Sequence, residues 1–351
     1  MARATAWWLA GVIGFALALE VLFRMLPVST STETGYYTDP LILSYPPHHR
    51  WNVSTGWDLR NSQALEANNW GYAAARNFER NKRAVALVGD SFVEASMLAA
   101  ADRPGVQLEH AIGSRPVYSM GSPGTALLDY AERIRFAHEQ FDVHDFVVLM
   151  ERGDVLQSLC GSGNVKGPCL DPETLVPRIQ TLPPPGSAKR LLRHSALAQY
   201  LSSQLKFNPQ TFLRQAFSPS QSLPAVTEVS SASEAHAERS NTSEAAMAKV
   251  DTITNTFLAR VKPHIRGQLV IVIDSDRHAL HQGQMTPDPA RTRFMQLARA
   301  SGATVIDTAP LFRTHFARSS LKLDVGPYDG HLNALGVRLI TQAAASALNG
   351  P

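Results

Sequence analysis

The chain has 351 residues, a formal net charge of +3 and 44% hydrophobic residues, enough apolar content for a sizeable core. Its lysine and arginine residues are scattered along the sequence, so the basic stripe that nucleic-acid binding requires is missing. These features exclude a polyanion-binding protein and predict no nucleic-acid partner. The length suits one large domain with additional segments.

The first segment is apolar. Residues 4–19 carry no charge, and the apolar character resumes after Glu20. The stretch Ala4–Phe23 reaches the length of about 20 residues that a transmembrane helix requires. A cleaved signal peptide is the alternative, but the apolar run continues through the small residues Ala16–Ala18. We predict a signal anchor at 4–26 in a bacterial inner membrane, with the rest of the chain in the periplasm. Glu20 is tolerable only near the outer interface.

Residues 29–80 are polar, aromatic and rich in turn residues. We predict that they form a membrane-proximal arm, which packs on the main domain without forming a domain of its own. The main domain is predicted to occupy 81–351. The sequence contains no internal repeats.

From Arg83 the sequence alternates between short apolar runs and longer amphipathic stretches. The short runs are typical of buried strands, and the longer stretches of helices. Predicted strands lie at 84–88, 116–120, 146–150, 269–273 and 304–306, and predicted helices at 92–100, 126–138, 290–300 and 333–348. This alternation predicts an α/β fold with a parallel sheet that is covered on both faces.

Gly89, Asp90 and Ser91 follow the first predicted strand directly. In open α/β sheets, ligands bind in the loops at the carboxyl ends of the strands. A serine at the start of the next helix lies near the positive end of the helix dipole, where a developing oxyanion is stabilised. Ser91 is therefore a candidate nucleophile.

Cys160 and Cys169 are the two cysteines of the chain, and a loop rich in glycine and proline separates them. In an oxidising periplasm we predict a disulfide between them, and two unpaired core thiols are the alternative. Two cysteines without suitably spaced histidines cannot form a structural zinc site, and we predict no metal and no cofactor.

The cysteines lie at the start of a long insertion, at about 155–262, between the third and fourth strands. Within it, 218–243 has no hydrophobic periodicity and is predicted to be a flexible linker, and 245–261 resumes a helical pattern. The insertion could serve as a lid or a partner-docking element, or it could have no function.

The loop before the last predicted helix contains Asp329 and His331, with one residue between them. A carboxylate so near in sequence can reach Nδ1 of the histidine and leave Nε2 free to face a serine. Taken separately, the two are typical of a turn aspartate and a capping or core histidine. Together with Ser91 at another strand end, they predict a triad in which His331 is the base and Asp329 orients it.

A polar cluster is predicted at the same sheet edge, after the fourth strand: Asp274, Asp276, His278 and His281. These side chains could contact a substrate. A metal role is disfavoured, because no glutamate completes a zinc-hydrolase pattern.

The segment Gly89-Asp90-Ser91-Phe92 resembles the first block of the SGNH (GDSL-type) hydrolases, which are esterases and acyltransferases. Gly121, after the second strand, matches the second block of that family, and the Asp329/His331 loop matches its last block. The resemblance covers most of 83–154 and 265–348. It implies a flavodoxin-like three-layer α/β/α fold, with an oxyanion hole formed by the backbone amides of Ser91 and Gly121.

The sequence departs from the family pattern at two points. Gly153 stands where the third block usually has an asparagine that acts as a third oxyanion donor, and such a donor is worth about 3–4 kcal/mol. Either Arg152 or a backbone amide such as that of Gly153 substitutes, or activity is reduced or absent. The short Asp-x-His spacing resembles a membrane-associated branch that acetylates exopolysaccharides.

These observations predict a membrane-anchored serine esterase or O-acyltransferase that acts on acyl esters, acetyl foremost, of cell-envelope or exported glycans. The expected substrate is an acylated glycan or a small ester, and a membrane acyl-transfer or polysaccharide-export protein is a candidate partner. A catalytically silent glycan-binding or assembly protein is one alternative. A lipase or thioesterase is the other.

Overall fold

The computed structural model describes residues 2–30, 33–113, 115–162, 167–181, 186–206 and 232–350. By its internal contacts the chain divides into two units. Unit one comprises Met1–Thr32, Trp51–Leu65 and Pro183–Ser240, and unit two comprises Glu33–Arg50, Glu66–Leu182 and Asn241–Pro351. The residues of the predicted arm are thus divided between the two units.

We number the elements along the chain. The strands are β1 (Gly35–Asp39), β2 (Ile42–Ser44), β3 (Arg50–Thr55), β4 (Arg60–Glu66), β5 (Val85–Gly89), β6 (Val117–Gly121), β7 (Asp145–Met150), β8 (Pro168–Leu170), β9 (Pro177–Ile179), β10 (Leu269–Ile273) and β11 (Thr304–Asp307). The helices are α1 (Ala2–Met25), α2 (Ser91–Glu94), α3 (Pro104–Ala111), α4 (Leu127–Phe141), α5 (Asp154–Gln157), α6 (Ser187–Leu192), α7 (Ala196–Gln199), α8 (Ala232–Val261), α9 (Arg277–His281), α10 (Pro289–Ala300), α11 (Thr308–Phe316) and α12 (Ala334–Asn349).

The main sheet of unit two has five strands in the order β11-β10-β7-β5-β6, and the pairs are parallel. In chain order this is the 2-1-3-4-5 arrangement of flavodoxin-like sheets. The register aligns the strand ends, because Gly89 pairs with Gly121 and with Leu149, and Ile273 pairs with Met150 and with Asp307. The predicted fold class is confirmed, and the carboxyl ends of the strands form one edge.

Helices cover both faces of this sheet. On one face α4, α8 and α10 contribute buried side chains such as Leu128, Phe257 and Phe294. On the other face α3, α11 and α12 contribute Leu108, Phe312 and Ile340. Strands β5, β6, β7 and β10 are therefore buried along almost their whole length, whereas the edge strand β11 is partly exposed.

One predicted helix is wrong. The sequence pattern predicts a helix over 92–100, but α2 ends at Glu94 because Ala95 adopts a left-handed conformation with φ 42° and ψ 48°. Met97 and Leu98 are buried in the irregular segment that follows. The spacing of these apolar residues in the sequence therefore reflects their packing in a loop and does not mark the buried face of a helix. The next full helix starts at Pro104, whose fixed φ suits a first helical position.

The predicted linker is also partly wrong. Its residues 218–231 lie outside the described part of the chain, but α8 begins at Ala232 and includes 232–243. Alanine and glutamate are strong helix formers even without hydrophobic periodicity. The helix also extends from a stretch that is fixed by buried Val250, Ile253 and Phe257, and propagation from an existing helix is favourable.

In unit one, α1 is long and apolar enough over Arg3–Met25 to cross a membrane. Its one acidic residue, Glu20, has partners. The carboxylate accepts hydrogen bonds from Ser195 Oγ at 2.8 Å and from the backbone amides of Ala196 and Leu197 at 3.0 Å. Glu20 therefore caps the amino terminus of α7, which satisfies amides that a helix cannot satisfy itself.

Cys160 and Cys169 form a disulfide, with their Cα atoms 5.1 Å apart. Cys169 is fully buried and packs with Ala126, next to the start of α4. The bond closes a short loop beside the sheet edge.

Loss of the disulfide should destabilise unit two. A loop of this length predicts a loss of about 2–3 kcal/mol in the free energy of unfolding, mainly because the unfolded chain regains freedom. Denaturant unfolding with and without dithiothreitol measures it. The double variant Cys160→Ser, Cys169→Ser is the control, since its stability should be low and should not respond to reductant.

Candidate active site

Ser91 is held at the carboxyl end of β5 by a tight turn. Asp90 accepts a hydrogen bond from the Phe92 amide at 2.8 Å and so caps α2, of which Ser91 is the first residue. Because α2 spans only four residues, its dipole is small. Stabilisation of charge at Ser91 therefore has to come from individual backbone amides, contrary to the helix-dipole argument from sequence.

The structure brings Ser91, His331 and Asp329 together in one hydrogen-bonded chain. The distance from Ser91 Oγ to His331 Nε2 is 2.8 Å, and that from His331 Nδ1 to Asp329 Oδ1 is 2.5 Å. The same Asp329 oxygen accepts the backbone amide of His331 at 2.9 Å. Asp329 thus fixes both the backbone and the ring of the histidine, and Nε2 is left facing the serine.

An arginine that the sequence analysis missed supports this loop. Arg277 donates to Asp324 at 2.6 Å and also contacts Asp274 and the carbonyl oxygen of Gly330. It is therefore tied to the end of β10 and to the loop that carries His331. Its only sequence signal is its place just after the fourth strand, among acidic residues.

The pKa of His331 reflects two opposed effects. Burial favours the neutral imidazole and lowers the pKa, whereas the hydrogen bond and the negative charge of Asp329 raise it. The second effect wins, so the pKa lies above its ordinary value. The Phe92 ring, whose centroid is 4.9 Å from that of the imidazole, contributes to the burial.

Gly121 lies against the turn that carries Ser91. A Cβ atom at this position would lie 2.4 Å from the Glu94 amide nitrogen and 2.9 Å from the Asp90 carbonyl oxygen, which are both backbone atoms that cannot move aside. Only glycine fits, and its absence of a side chain lets the end of β6 approach the end of β5 closely. The two candidate oxyanion donors thus belong to neighbouring backbone segments.

The two candidates for a third donor are engaged elsewhere. The Gly153 amide donates to the carboxylate of Glu151 at 2.5 Å. Arg152 donates to Asp276 at 2.8 Å and lines the same cavity as His331. Gly153 therefore does not replace the missing asparagine, and Arg152 is placed to contact a substrate.

A cavity of about 430 Å³ opens beside the triad. It is lined mainly by polar and charged groups, namely Glu151, Arg152, Asp274, Ser275, Asp276, Arg277, His278, Asp324, Gly330 and His331, together with Phe92. A second cavity, of about 330 Å³, shares Arg152, Ser275 and Asp276 with the first. The two cavities therefore adjoin each other, and we refer to them together as the groove.

The polar residues after β10 divide between groove and surface. Asp274, Asp276 and His278 line the groove, whereas His281 is exposed, with Nε2 3.4 Å from the Ser320 carbonyl oxygen. Over the described residues, no group of three or more histidine, cysteine, aspartate or glutamate side chains is placed to hold a metal ion.

Two carboxyl groups near Ser91, those of Glu94 and Asp90, are buried. Glu94 is fully buried and accepts a hydrogen bond from Tyr45 Oη at 3.0 Å. Burial raises the pKa of Glu94 to about 7, although the Tyr45 bond opposes this shift. Burial likewise raises the pKa of Asp90 to about 6.

Comparisons with known proteins yield structural neighbours only. No family model and no curated protein matches the chain. It is similar to LAE5, an alpha/beta hydrolase from the metagenome of Lake Arreo, with 12% identity and a TM-score of 0.37 over 78% of this chain and 99% of that one.

Two further solved structures are similar to the same extent. One is a lipolytic protein of the G-D-S-L family from Veillonella parvula, with 13% identity and a TM-score of 0.34 over 74% of this chain and 95% of that one. The other is the acetylxylan esterase Axe2 from Geobacillus stearothermophilus, with 12% identity and a TM-score of 0.38 over 78% and 96%. The fold assignment rests on the sheet described above, and the candidate site on its own geometry.

Replacing Asp329 by asparagine should lower the pKa of His331. Since burial lowers this pKa and Asp329 raises it, removing the carboxylate leaves burial to dominate. Titration of the imidazole by NMR measures the shift, and Asp288→Asn, at the cap of α10, is a control that should leave it unchanged. An equal or higher pKa in Asp329→Asn would contradict the assigned partner.

Glu94→Gln should stabilise the protein at neutral and higher pH. A pKa raised on folding means that the contribution of Glu94 is fully present below its ordinary pKa of 4.5 and is lost as the pH rises through about 7. Glutamine keeps a partner for Tyr45 without a charge, so the gain should grow over this range towards a limit on the order of 3 kcal/mol. Denaturant unfolding at several pH values measures it, with exposed Glu66→Gln as control. A gain that does not vary with pH would refute this explanation.

Proposed function

We propose that the chain is a serine esterase or O-acyltransferase that acts on acyl esters, acetyl foremost, of cell-envelope or exported glycans. The observation that carries the proposal is the unbroken chain of hydrogen bonds from Asp329 through His331 to Ser91, at the carboxyl edge of a parallel sheet. This arrangement activates a serine hydroxyl for attack on a carbonyl carbon.

The reaction proceeds in two halves. Ser91 Oγ attacks the acyl carbonyl carbon while His331 Nε2 takes the hydroxyl proton, and Asp329 stabilises the imidazolium. The tetrahedral oxyanion is held by the amides of Ser91 and Gly121. Its collapse breaks the ester bond, and His331 protonates the departing alcohol. Water or a sugar hydroxyl then attacks the acyl carbon and gives its proton to His331. As the bond from the acyl carbon to Ser91 Oγ breaks, His331 returns this proton to Ser91 Oγ.

The groove supports a substrate rich in hydroxyl groups. Its part beside His331 is lined by carboxylates, arginines and a histidine, with Phe92 as the one large apolar side chain. Such groups bind hydroxyls by hydrogen bonds, whereas a long acyl chain would require an apolar pocket. The adjoining cavity includes Leu280, Met285 and Met295, and these residues are the observation that favours a lipase or thioesterase instead.

The location is proposed from α1 and the disulfide. An apolar helix near the amino terminus, whose one acidic residue is engaged in capping α7, suits an uncleaved anchor in the inner membrane. A disulfide suits the oxidising periplasm. In that location a membrane acyl-transfer or polysaccharide-export protein is the proposed partner, since either would bring acyl donor or glycan to the site.

A serine-directed fluorophosphonate probe tests the nucleophile. Full-length protein in detergent should be labelled at Ser91, and mass spectrometry of the labelled peptide locates the adduct. Ser91→Ala should not react, and His331→Ala should react more slowly by about three orders of magnitude. A folded protein that stays unlabelled would favour the silent glycan-binding alternative.

An activated acetyl ester, supplied with and without an oligosaccharide, then separates the activities. Acetate alone indicates a hydrolase, and acetylated oligosaccharide indicates a transferase. A series of p-nitrophenyl esters of increasing chain length checks the acyl group. A rate that rises steeply with chain length would overturn the acetyl assignment in favour of a lipase or thioesterase.

A further inference from the structure

Arg133 is a fully buried arginine on α4, directly beneath the ends of β5 and β6. Its Nη1 atom donates to the carbonyl oxygen of Gly89 at 2.6 Å and to that of Met120 at 3.4 Å. The guanidinium carbon lies 5.9 Å from the centroid of the Tyr130 ring, and within the described part of the chain no hydrogen bond of ordinary geometry is made by its Nε and Nη2 atoms. Burying a guanidinium in this way costs free energy, so a role beyond packing is expected.

One of the two carbonyl groups that Arg133 contacts, that of Met120, belongs to a peptide unit at the candidate oxyanion hole, whereas the Gly89 carbonyl shares its peptide unit with the Asp90 amide. The Met120 carbonyl shares its peptide unit with the Gly121 amide, and resonance couples the two ends. A charged donor on the oxygen draws electron density from the nitrogen, so the N–H on the far side becomes a stronger donor. Arg133 therefore acts on the Gly121 amide without touching a substrate.

The other candidate donor, the Ser91 amide, also belongs to a peptide unit whose carbonyl oxygen accepts hydrogen bonds. The Asp90 carbonyl, in the same peptide unit as the Ser91 amide, accepts the amides of Val93 and Glu94 at 3.2 Å each. In both peptide units the carbonyl oxygen thus accepts a hydrogen bond. In one case the donor is neutral backbone, and in the other it is a cation.

We propose that Arg133 is a positioning residue that polarises the Met120–Gly121 peptide unit and thereby strengthens the Gly121 amide as an oxyanion donor. In this chain it offsets the third donor that Gly153 does not provide. The inference rests on the proposed function, since it concerns the same site. It also predicts that the guanidinium holds the ends of β5 and β6 at a fixed spacing, because one nitrogen donates to both.

Two substitutions and one matched control test the inference. Arg133→Met removes the charge and the donors, and Arg133→Lys keeps the charge with a smaller donor group. Ile134→Val, at a buried neighbour on the same helix, loses about 1 kcal/mol of stability without touching either carbonyl. Thermal unfolding of all three separates loss of fold from loss of activity.

The first readout is the split between kcat and KM on an activated acetyl ester. Removing a whole oxyanion donor costs about 10²–10³ in kcat, so weakening one should cost roughly 10- to 50-fold in Arg133→Met, with KM within about twofold. Arg133→Lys should recover part of the loss, and Ile134→Val should retain full kcat. Equal kcat in Arg133→Met and Ile134→Val would overturn the inference.

The second readout needs no turnover. The amide ¹⁵N shift of Gly121 reports on hydrogen bonding to the Met120 carbonyl, and selective glycine labelling makes it visible. It should move in Arg133→Lys and stay constant in Ile134→Val. A constant shift in both variants, with Ser91 still labelled by the phosphonate, would refute only the role of Arg133. Failure of Ser91 to label in the unsubstituted protein would refute the proposed function and this inference with it.

Discussion

The close backbone contact between Gly121 and the turn after β5 is the constraint on which the site depends. No side chain fits between the end of β6 and the atoms of Asp90 and Glu94, so the two strand ends can lie at one level only if position 121 is glycine. The parallel register places the two strand ends side by side, since Gly89 pairs with Gly121. The arrangement brings the backbone of Gly121 into close contact with the turn that carries Ser91.

The other parts of the site are held in place by charged side chains. Asp329 holds the imidazole, and Arg277 ties the loop of Asp329 to the end of β10. Arg133 reaches the same strand ends from below. The site is therefore built from charged groups that are buried in pairs or against carbonyls, where the low dielectric strengthens each interaction.

Sequence reasoning found the parts that follow from local pattern. Short apolar runs predicted the strands, and the positions of Ser91 and of the Asp329/His331 loop followed from the rule that parallel strands end at one edge. The triad roles of these residues remain a prediction. The prediction of a helix over 92–100 was wrong because Met97 and Leu98, which are buried in a loop, have the sequence spacing of a helical face. The left-handed conformation of Ala95, which ends the helix, is seen only in the structure. Arg133 and Arg277 were not predictable, since their partners are carbonyl and carboxylate groups brought near only by the folded sheet.

The cap that Glu20 forms also bears on the kind of bilayer that α1 suits. With Glu20 engaged by Ser195 and by the first turn of α7, the uncharged part of the helix is limited to residues 4–19. At 1.5 Å per residue this part is about 24 Å long, whereas a typical hydrocarbon core is about 30 Å thick. In the proposed membrane location this hydrophobic mismatch would be met by local thinning of the lipid around the helix, and it would favour an upright helix over a tilted one.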